Sequence, residues 1–317
     1  MSTDSLIKPI PTSIAVFGAS GRMAVEVAAY LDYAQPDIRL RLLTSSEGGG
    51  DSLQARFPGR EVVVADLLNR PSLDAALEGM QGMFLVTPSG LDEHAAMTNF
   101  IDAAQKAGAV THIVRILGYA PDSTADSIPE HLRDGDATQH YVAKELLAKS
   151  GLPVTYLNVG ASLMDNFLFT LPGIRSADTL IWPEREVPLI DVRDLGEAAA
   201  RLLISDDRRH IGHFHTINNG HDYLTTSQIA EIMSDVFRRR ISHDGNWEAF
   251  NKEYGEMFTK RSGRDTEAEY RYQYFEFEYH NWLWSLNDFA ETLLGRKPNT
   301  FRSWLQEHRS FFDSAAH

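Results

Sequence analysis

Cysteine is absent from all 317 residues, which excludes disulfides, thiol nucleophiles and Cys-ligated zinc. Basic residues are also scarce: 30 Lys and Arg stand against 44 Asp and Glu, a formal net charge of -14. That deficit argues against direct nucleic-acid binding, which rests on concentrated Lys and Arg, and equally against an anionic membrane surface. No apolar run approaches the ~18 residues that a membrane span needs. The opening "MSTDSLIKPIPTS" lacks the basic start and apolar centre of a signal peptide. No G-x-S-x-G elbow of a Ser-His-Asp hydrolase occurs. Internal repeats and a Gly/Ser/Pro-rich linker are missing too. The expectation is a soluble, cytoplasmic protein, long enough for one large domain or two modest ones.

What is present is alternation. Short β-rich apolar runs ("SIAVFG", "IRLRLLT", "EVVVADL", "GMFLVTP", "THIVRIL", "PVTYLNV") are separated by helix-like stretches such as "RMAVEVAAYLDYA" and "HAAMTNFIDAAQKAG". Runs that are apolar throughout belong to strands covered on both faces. With right-handed crossovers they build an α/β fold, a Rossmann-type doubly wound parallel sheet. After about Gly160 the pattern weakens. "VPLIDVRDLGEAAARLLIS" predicts a strand running into a helix with Asp194 near its start, and "GHFHTINN" another strand. "LTTSQIAEIMSDVF" predicts a helix with a capping box at Thr225 and Gln228, and "NTFRSWLQEHRSFF" a closing amphipathic helix. The expected division is a dinucleotide-binding core over 1–157 and an interwoven, smaller α/β cap over 158–317. Residues of about 186–205 return to the core.

The segment "SIAVFGASGRMAVEVAAYL" reads as a dinucleotide-binding turn: Gly18 closes a strand, Gly21 follows, and Ala24 stands where a third glycine is usual. The motif needs a tight turn, close backbone approach to a pyrophosphate, and close packing of helix on strand; a small side chain satisfies the last. Ser20, Arg22 and Met23 complete the turn. The second strand ends in Thr44, Ser45 and Ser46 rather than in the acid that grips an NAD ribose. Small hydroxyls tolerate a 2'-phosphate, and the Arg22 guanidinium suits one. NADP(H) is therefore favoured, with NAD(H) as the alternative, and "TSSEGGGDS" is expected to be a flexible loop.

Several stretches in order, "FGASGRMA", "ADLLNRPSLDAALEGMQGMFLVTP", "HIVRI", "HYVAKELLAKSGLPVTYLNVGASLMDNF", "VPLIDVRDLGEAAARLL" and "GRKPNTFRSWLQEHRSFF", resemble the NmrA-like branch of the atypical short-chain dehydrogenase/reductases. The resemblance implies that Gly18, Gly21 and Ala24 hold the pyrophosphate and that Asp66 with Leu67 meets the adenine. It also places Thr87 and Pro88 beside the nicotinamide ribose and bonds Lys144 to that ribose. The branch contains reductases of quinones and small carbonyls as well as redox sensors that only bind dinucleotide.

The chain departs from the superfamily at its chemistry. Leu117 stands at the usual serine position of the fifth strand, and His140 four residues before Lys144 in place of the usual tyrosine. His140 and Lys144 share a helix face, and a histidine there is a candidate proton donor at neutral pH; Tyr141 and Tyr119 are the others. After the sixth strand, Asn158 and Val159 replace an Arg-Pro pair, so Asn158, Ser162 and Asn166 become candidate substrate-pocket residues. In "EAEYRYQYFEFEYHNWLWSL", Tyr272, Phe275, Tyr279 and Trp282 recur at helical spacing, as core packing or as an aromatic wall over a flat substrate. His213 and His215 share a strand face, but no metal is expected from them. Three readings stay open: an NADP(H)-dependent oxidoreductase of a small organic carbonyl, quinone or conjugated substrate; a dinucleotide sensor without turnover; and a non-redox isomerase or lyase. Monomer and homodimer are equally open.

Overall fold

Each apolar run of the first half becomes a strand, and all but the half-exposed edge strand formed by "EVVVADL" are largely buried on both faces. The computed structural model describes residues 6–133 and 136–313. The first half runs β1 (Ser13–Val16), α1 (Arg22–Ala34), β2 (Arg39–Thr44), α2 (Glu47–Arg56), β3 (Glu61–Val64), α3 (Arg70–Leu77), β4 (Gly82–Leu85), α4 (Glu93–Ala107), β5 (His112–Leu117), α5 (Asp136–Lys149) and β6 (Val154–Val159). Next come β7 (Ser162–Leu163), α6 (Leu171–Ala177), β8 (Thr179–Ile181), β9 (Glu186–Ile190), α7 (Val192–Leu203), β10 (Phe214–Ile217), β11 (Tyr223–Thr225) and α8 (Thr226–Phe237). The chain closes with β12 (Ser242–Asp244), α9 (Trp247–Ser262), α10 (Glu267–Asn281), α11 (Phe289–Leu294), α12 (Phe301–Glu307) and α13 (Arg309–Phe312).

Seven strands form one parallel sheet in the order β10-β6-β5-β4-β1-β2-β3. Successive side chains alternate between faces. Ile14 and Val16 pack under α1 and α7, whereas Ala15 and Phe17 pack against the layer of α3 and α4. The strand order reverses between β1 and β4, which opens a crevice at their carboxyl ends. Among the described residues no helix is long and apolar enough to cross a membrane.

The second half is threaded through the first. Helix α7, capped by Asp191, lies along α1. Gly196 sits at the crossing, where a Cβ would stand 2.5 Å from Glu26 Cβ and 2.9 Å from the Glu26 carbonyl carbon. Strand β10, expected in the cap, is instead the edge strand of the large sheet, with α11 against it and α7. Conversely β9, at 186–190, joins a small sheet of order β11-β9-β7 rather than the large one. The cap has its own core, with Met164, Leu189, Met233, Phe301 and Trp304 fully or almost fully buried.

Two local expectations change. The stretch read as a flexible loop contains α2: Ser46 Oγ accepts the Gly49 N–H (3.2 Å), and Leu53 is buried. The closing helix is two, α12 and α13, meeting at His308. The capping box at Thr225 and Gln228 is formed on α8.

At the base of β5, His112 is fully buried between the Leu203 carbonyl (3.3 Å) and Thr155 Oγ1 (2.8 Å). Burial, with Lys8 nearby, pushes its pKa down to about 3. The unfolded ring titrates near 6.5, so unfolding takes up a proton at any pH between these values. The stability this histidine contributes is complete above pH 6.5 and is lost as pH falls toward 3, with a limiting slope of about 1.4 kcal/mol per pH unit. Urea midpoints at pH 7, 5.5 and 4.5 check this: His112→Gln should flatten the decline relative to the parent.

Candidate active site

The turn after β1 follows from a backbone requirement. Gly18 has φ +64°, a conformation other residues rarely adopt, and its carbonyl accepts the Gly21 N–H at 2.7 Å. Gly21 then begins α1 without any side-chain cap, and no acid stands in the first turn. The free N–H groups and the positive end of the helix favour an anion there. Beside the turn, Ser20 Oγ and Thr44 Oγ1 are 3.1 Å apart. Thr44 is buried and Ser45 exposed. These hydroxyls and the glycine cradle fit a dinucleotide phosphate without an opposing carboxylate.

Arg22 is held by the cap: its Nη2 donates to Asn166 Oδ1 (3.0 Å) and its Nη1 lies 3.6 Å from Asp165. Asn166 in turn donates to Ser162 Oγ at 3.3 Å. Asp66, exposed in the loop after β3, accepts the Leu68 N–H through Oδ1 (2.9 Å) and so caps its own loop, while Leu67 is buried. Pro88 is exposed next to Thr87, which is buried.

A cleft of about 330 Å³ opens at the carboxyl ends of β4, β5 and β6, beneath the cap. Met23, Thr87, His140, Ser162 and Asn166 line it, together with Leu117 and Gly118 at the end of β5. The other expected residues lie outside its lining. Asn158 is fully buried; it accepts the Tyr119 N–H (3.1 Å) and donates to the Tyr119 carbonyl (3.0 Å), so it clamps a loop rather than meeting substrate. The Lys144 ammonium sits over the Tyr156 and Phe214 rings at 5.7 and 5.8 Å. Tyr119 stacks on Tyr141 (centroids 4.1 Å), and the Tyr141 hydroxyl bonds to Ser123. Burial raises both phenols above their usual range, so neither is a ready acid.

His140 is the remaining proton-donor candidate, and its environment alters the expectation. Burial, reinforced by the Arg115 charge, pushes its pKa down to about 3. At neutral pH the ring is therefore an uncharged imidazole that donates or accepts a hydrogen bond, not an imidazolium acid. Its Nδ1 is buried without a partner.

Sequence reasoning missed the group beneath His140. Arg115 is fully buried on β5; its Nη2 donates to Thr87 Oγ1 (2.8 Å) and to Glu93 Oε1 (2.7 Å). Burial pushes the Glu93 carboxyl above the usual carboxylate range, opposed by Arg115 and Thr87. An arginine in the middle of "THIVRIL" was the available signal, because a buried strand rarely carries a charge without a partner.

The cap contributes Arg185, Tyr274, Phe275, Glu278 and Trp284 to the cleft. The aromatic stripe expected on α10 is thus a different one: Phe275 belongs to the wall, Tyr272 is tied to the Gly245 carbonyl (2.9 Å), and Tyr279 is exposed. The helix ends at Asn281, before Trp282. Far from the cleft, His210 Nδ1 and His215 Nε2 are 3.0 Å apart, and His215 stacks on Phe289.

The sequence profile of the NmrA-like family matches residues 11–246. The chain belongs to the NmrA-like family. It is 28% identical over 306 residues to the (4-alkanoyl-5-oxo-2,5-dihydrofuran-3-yl)methyl phosphate reductase of Streptomyces griseus, covering 94% of this chain and 99% of the relative. It is 25% identical over 307 residues to the NAD(P)H azoreductase of Xenophilus azovorans, covering 95% and 100%. In fold it is similar to the Citrobacter sp. triphenylmethane reductase complexed with NADP(H), with a TM-score of 0.75 at 21% identity over 93% of this chain and 99% of that one. These relatives are reductases of small organic molecules.

Proposed function

We propose that this chain is an NADP(H)-dependent reductase of a small organic carbonyl, quinone or conjugated substrate. One observation carries the reading: Met23 in the first turn of α1, which the glycine turn leads into, Thr87 just after β4 and a cap wall of Tyr274, Phe275 and Trp284 line a single cleft. The turn of Gly18, Ser20 and Gly21 would hold the pyrophosphate, and Arg22, released from Asn166, a 2'-phosphate. When bound, the cofactor supplies hydride. Thr87 is oriented by Arg115, so it presents its oxygen at a fixed position. The neutral His140 offers one ring N–H or lone pair to a substrate oxygen, and solvent supplies the proton. The cap aromatics give a flat substrate an apolar face and displace water.

NADPH fluorescence tests the binding half: purified protein should shift and enhance the nicotinamide emission. Arg22→Ala should lower the ratio of NADPH to NADH affinity by about tenfold, the scale of one charge-assisted pair. Absence of any fluorescence change, or an unaltered ratio in the variant, would remove the basis for the NADP(H) reading.

A second reading is a dinucleotide sensor without turnover. Lys144 lies away from the cleft lining and His140 is uncharged, which supports it. Equal affinity for oxidised and reduced cofactor, with no NADPH consumed across a panel of quinones and carbonyls, would favour the sensor.

A further inference from the structure

Opposite the floor of the cleft, the segment joining β8 and β9 delivers one side chain whose bonding is incomplete. The Arg185 backbone is fixed to the start of α8: its N–H donates to Thr226 Oγ1 (3.2 Å) and its carbonyl accepts the Thr226 N–H (3.0 Å). The side chain, 12% exposed, lies over the Phe275 ring at 4.6 Å and donates from Nη2 to Glu278 Oε2 at 2.7 Å. Its Nε is buried and has no hydrogen-bond partner. A buried cationic N–H left without a partner is unfavourable, which points to a group that the cleft receives.

We propose that Arg185 anchors an anionic oxygen of the substrate, so that the preferred compound carries a carboxylate, phosphate or sulfonate beside its reducible group. The proposal rests on reading this cleft as the substrate site. A planar guanidinium held at a fixed tilt by a ring and a carboxylate is suited to such an oxygen, because little ordering remains to be done on binding. Among the described residues that line the cleft, Arg185 is the one that is cationic at neutral pH, since His140 is neutral there. Glu278 is the counter-charge. Burial raises its carboxyl, opposed by Arg185 and by the Tyr274 hydroxyl bonded to it. Glu278 holds the Arg185 guanidinium through its Oε2, and an incoming anion competes with it for the same group.

Calorimetry at pH 7 with naphthalene-2-sulfonate and its neutral isostere naphthalene-2-sulfonamide tests this, with the protein in the presence and absence of NADP⁺. The sulfonate should bind on the order of tenfold more tightly, the scale of one charge-assisted hydrogen bond. Arg185→Met should bring the ratio to about one, and Glu278→Gln should raise it by removing the competing charge. Because Arg185→Met leaves Glu278 alone in a buried place, the double variant R185M/E278Q is measured too and should match the single variant. Equal binding of the two probes by the parent protein, binding of neither, or a preference that survives in the double variant would overturn the proposal. NADPH fluorescence on the same preparations keeps the two readings apart: its loss sinks the reductase, whereas the probe ratio reports on Arg185 alone.

Discussion

Gly196→Ala is expected to destabilise the protein by about 2–3 kcal/mol, at the upper end of what overpacking costs. The added methyl would meet Glu26 Cβ at 2.5 Å, the Glu26 carbonyl carbon at 2.9 Å and the Val27 nitrogen at 3.0 Å. Two of those atoms are backbone, so no side chain can rotate away, and α1 and α7 must separate. The glycine turn leads directly into α1, so the separation should also weaken NADPH binding. Urea unfolding followed by circular dichroism gives the first effect and nicotinamide fluorescence the second. Gly196→Val, with two more carbons at the same place, should yield little soluble protein. A parent-like urea midpoint for Gly196→Ala would mean that the helices cross less tightly than the structure indicates.

Arg115→Met carries the other large effect. It leaves Glu93 buried without its partner, and breaking such a pair typically costs about 3–5 kcal/mol. Part of that cost is avoided if Glu93 takes up a proton, for which burial already prepares it. The double variant R115M/E93Q should therefore recover most of the loss, a coupling that a double-mutant cycle measures directly. Cofactor affinity should fall in both variants, because Thr87 loses the guanidinium that holds its oxygen. The His140 pKa should rise as well, since the Arg115 charge is one of the two causes that depress it. Titration of the imidazole by NMR reads that shift separately from stability.

The parallel core was legible because its first six strands are short, largely apolar runs separated by helix-like stretches. Helix α1 matches the stretch "RMAVEVAAYLDYA" residue for residue. Helix α2 was hidden by Gly48, Gly49 and Gly50, which oppose helix formation; the Ser46 cap and the burial of Leu53 favour it nonetheless. The face of α10 was misread for a different reason. Aromatic residues stand all round that helix, so periodicity alone does not say which of them point inward.

In the site, the cofactor turn followed from local rules that glycine and a helix start impose. The charged pairs did not. Arg185 and Glu278 are 93 residues apart and meet only when the cap closes on itself. Asn158 misled because the resemblance put it in a segment that shapes the pocket, whereas it lies within β6 and its amide serves the Tyr119 backbone.

The threading of the second half through the first also has a consequence for how the chain is made. The large sheet lacks its edge strand until residue 217, and α1 lacks its cover until α7 is complete at Leu203. A nascent chain released from the ribosome at the end of β6 would expose Ala24, Val27 and Leu31 to solvent, all of which lie in the core that α7 helps to close. No stopping point within the first two thirds of synthesis leaves a finished unit. Truncation after Val159 should therefore produce an aggregating fragment, and the two halves supplied as separate chains should reach the soluble fraction only when made together.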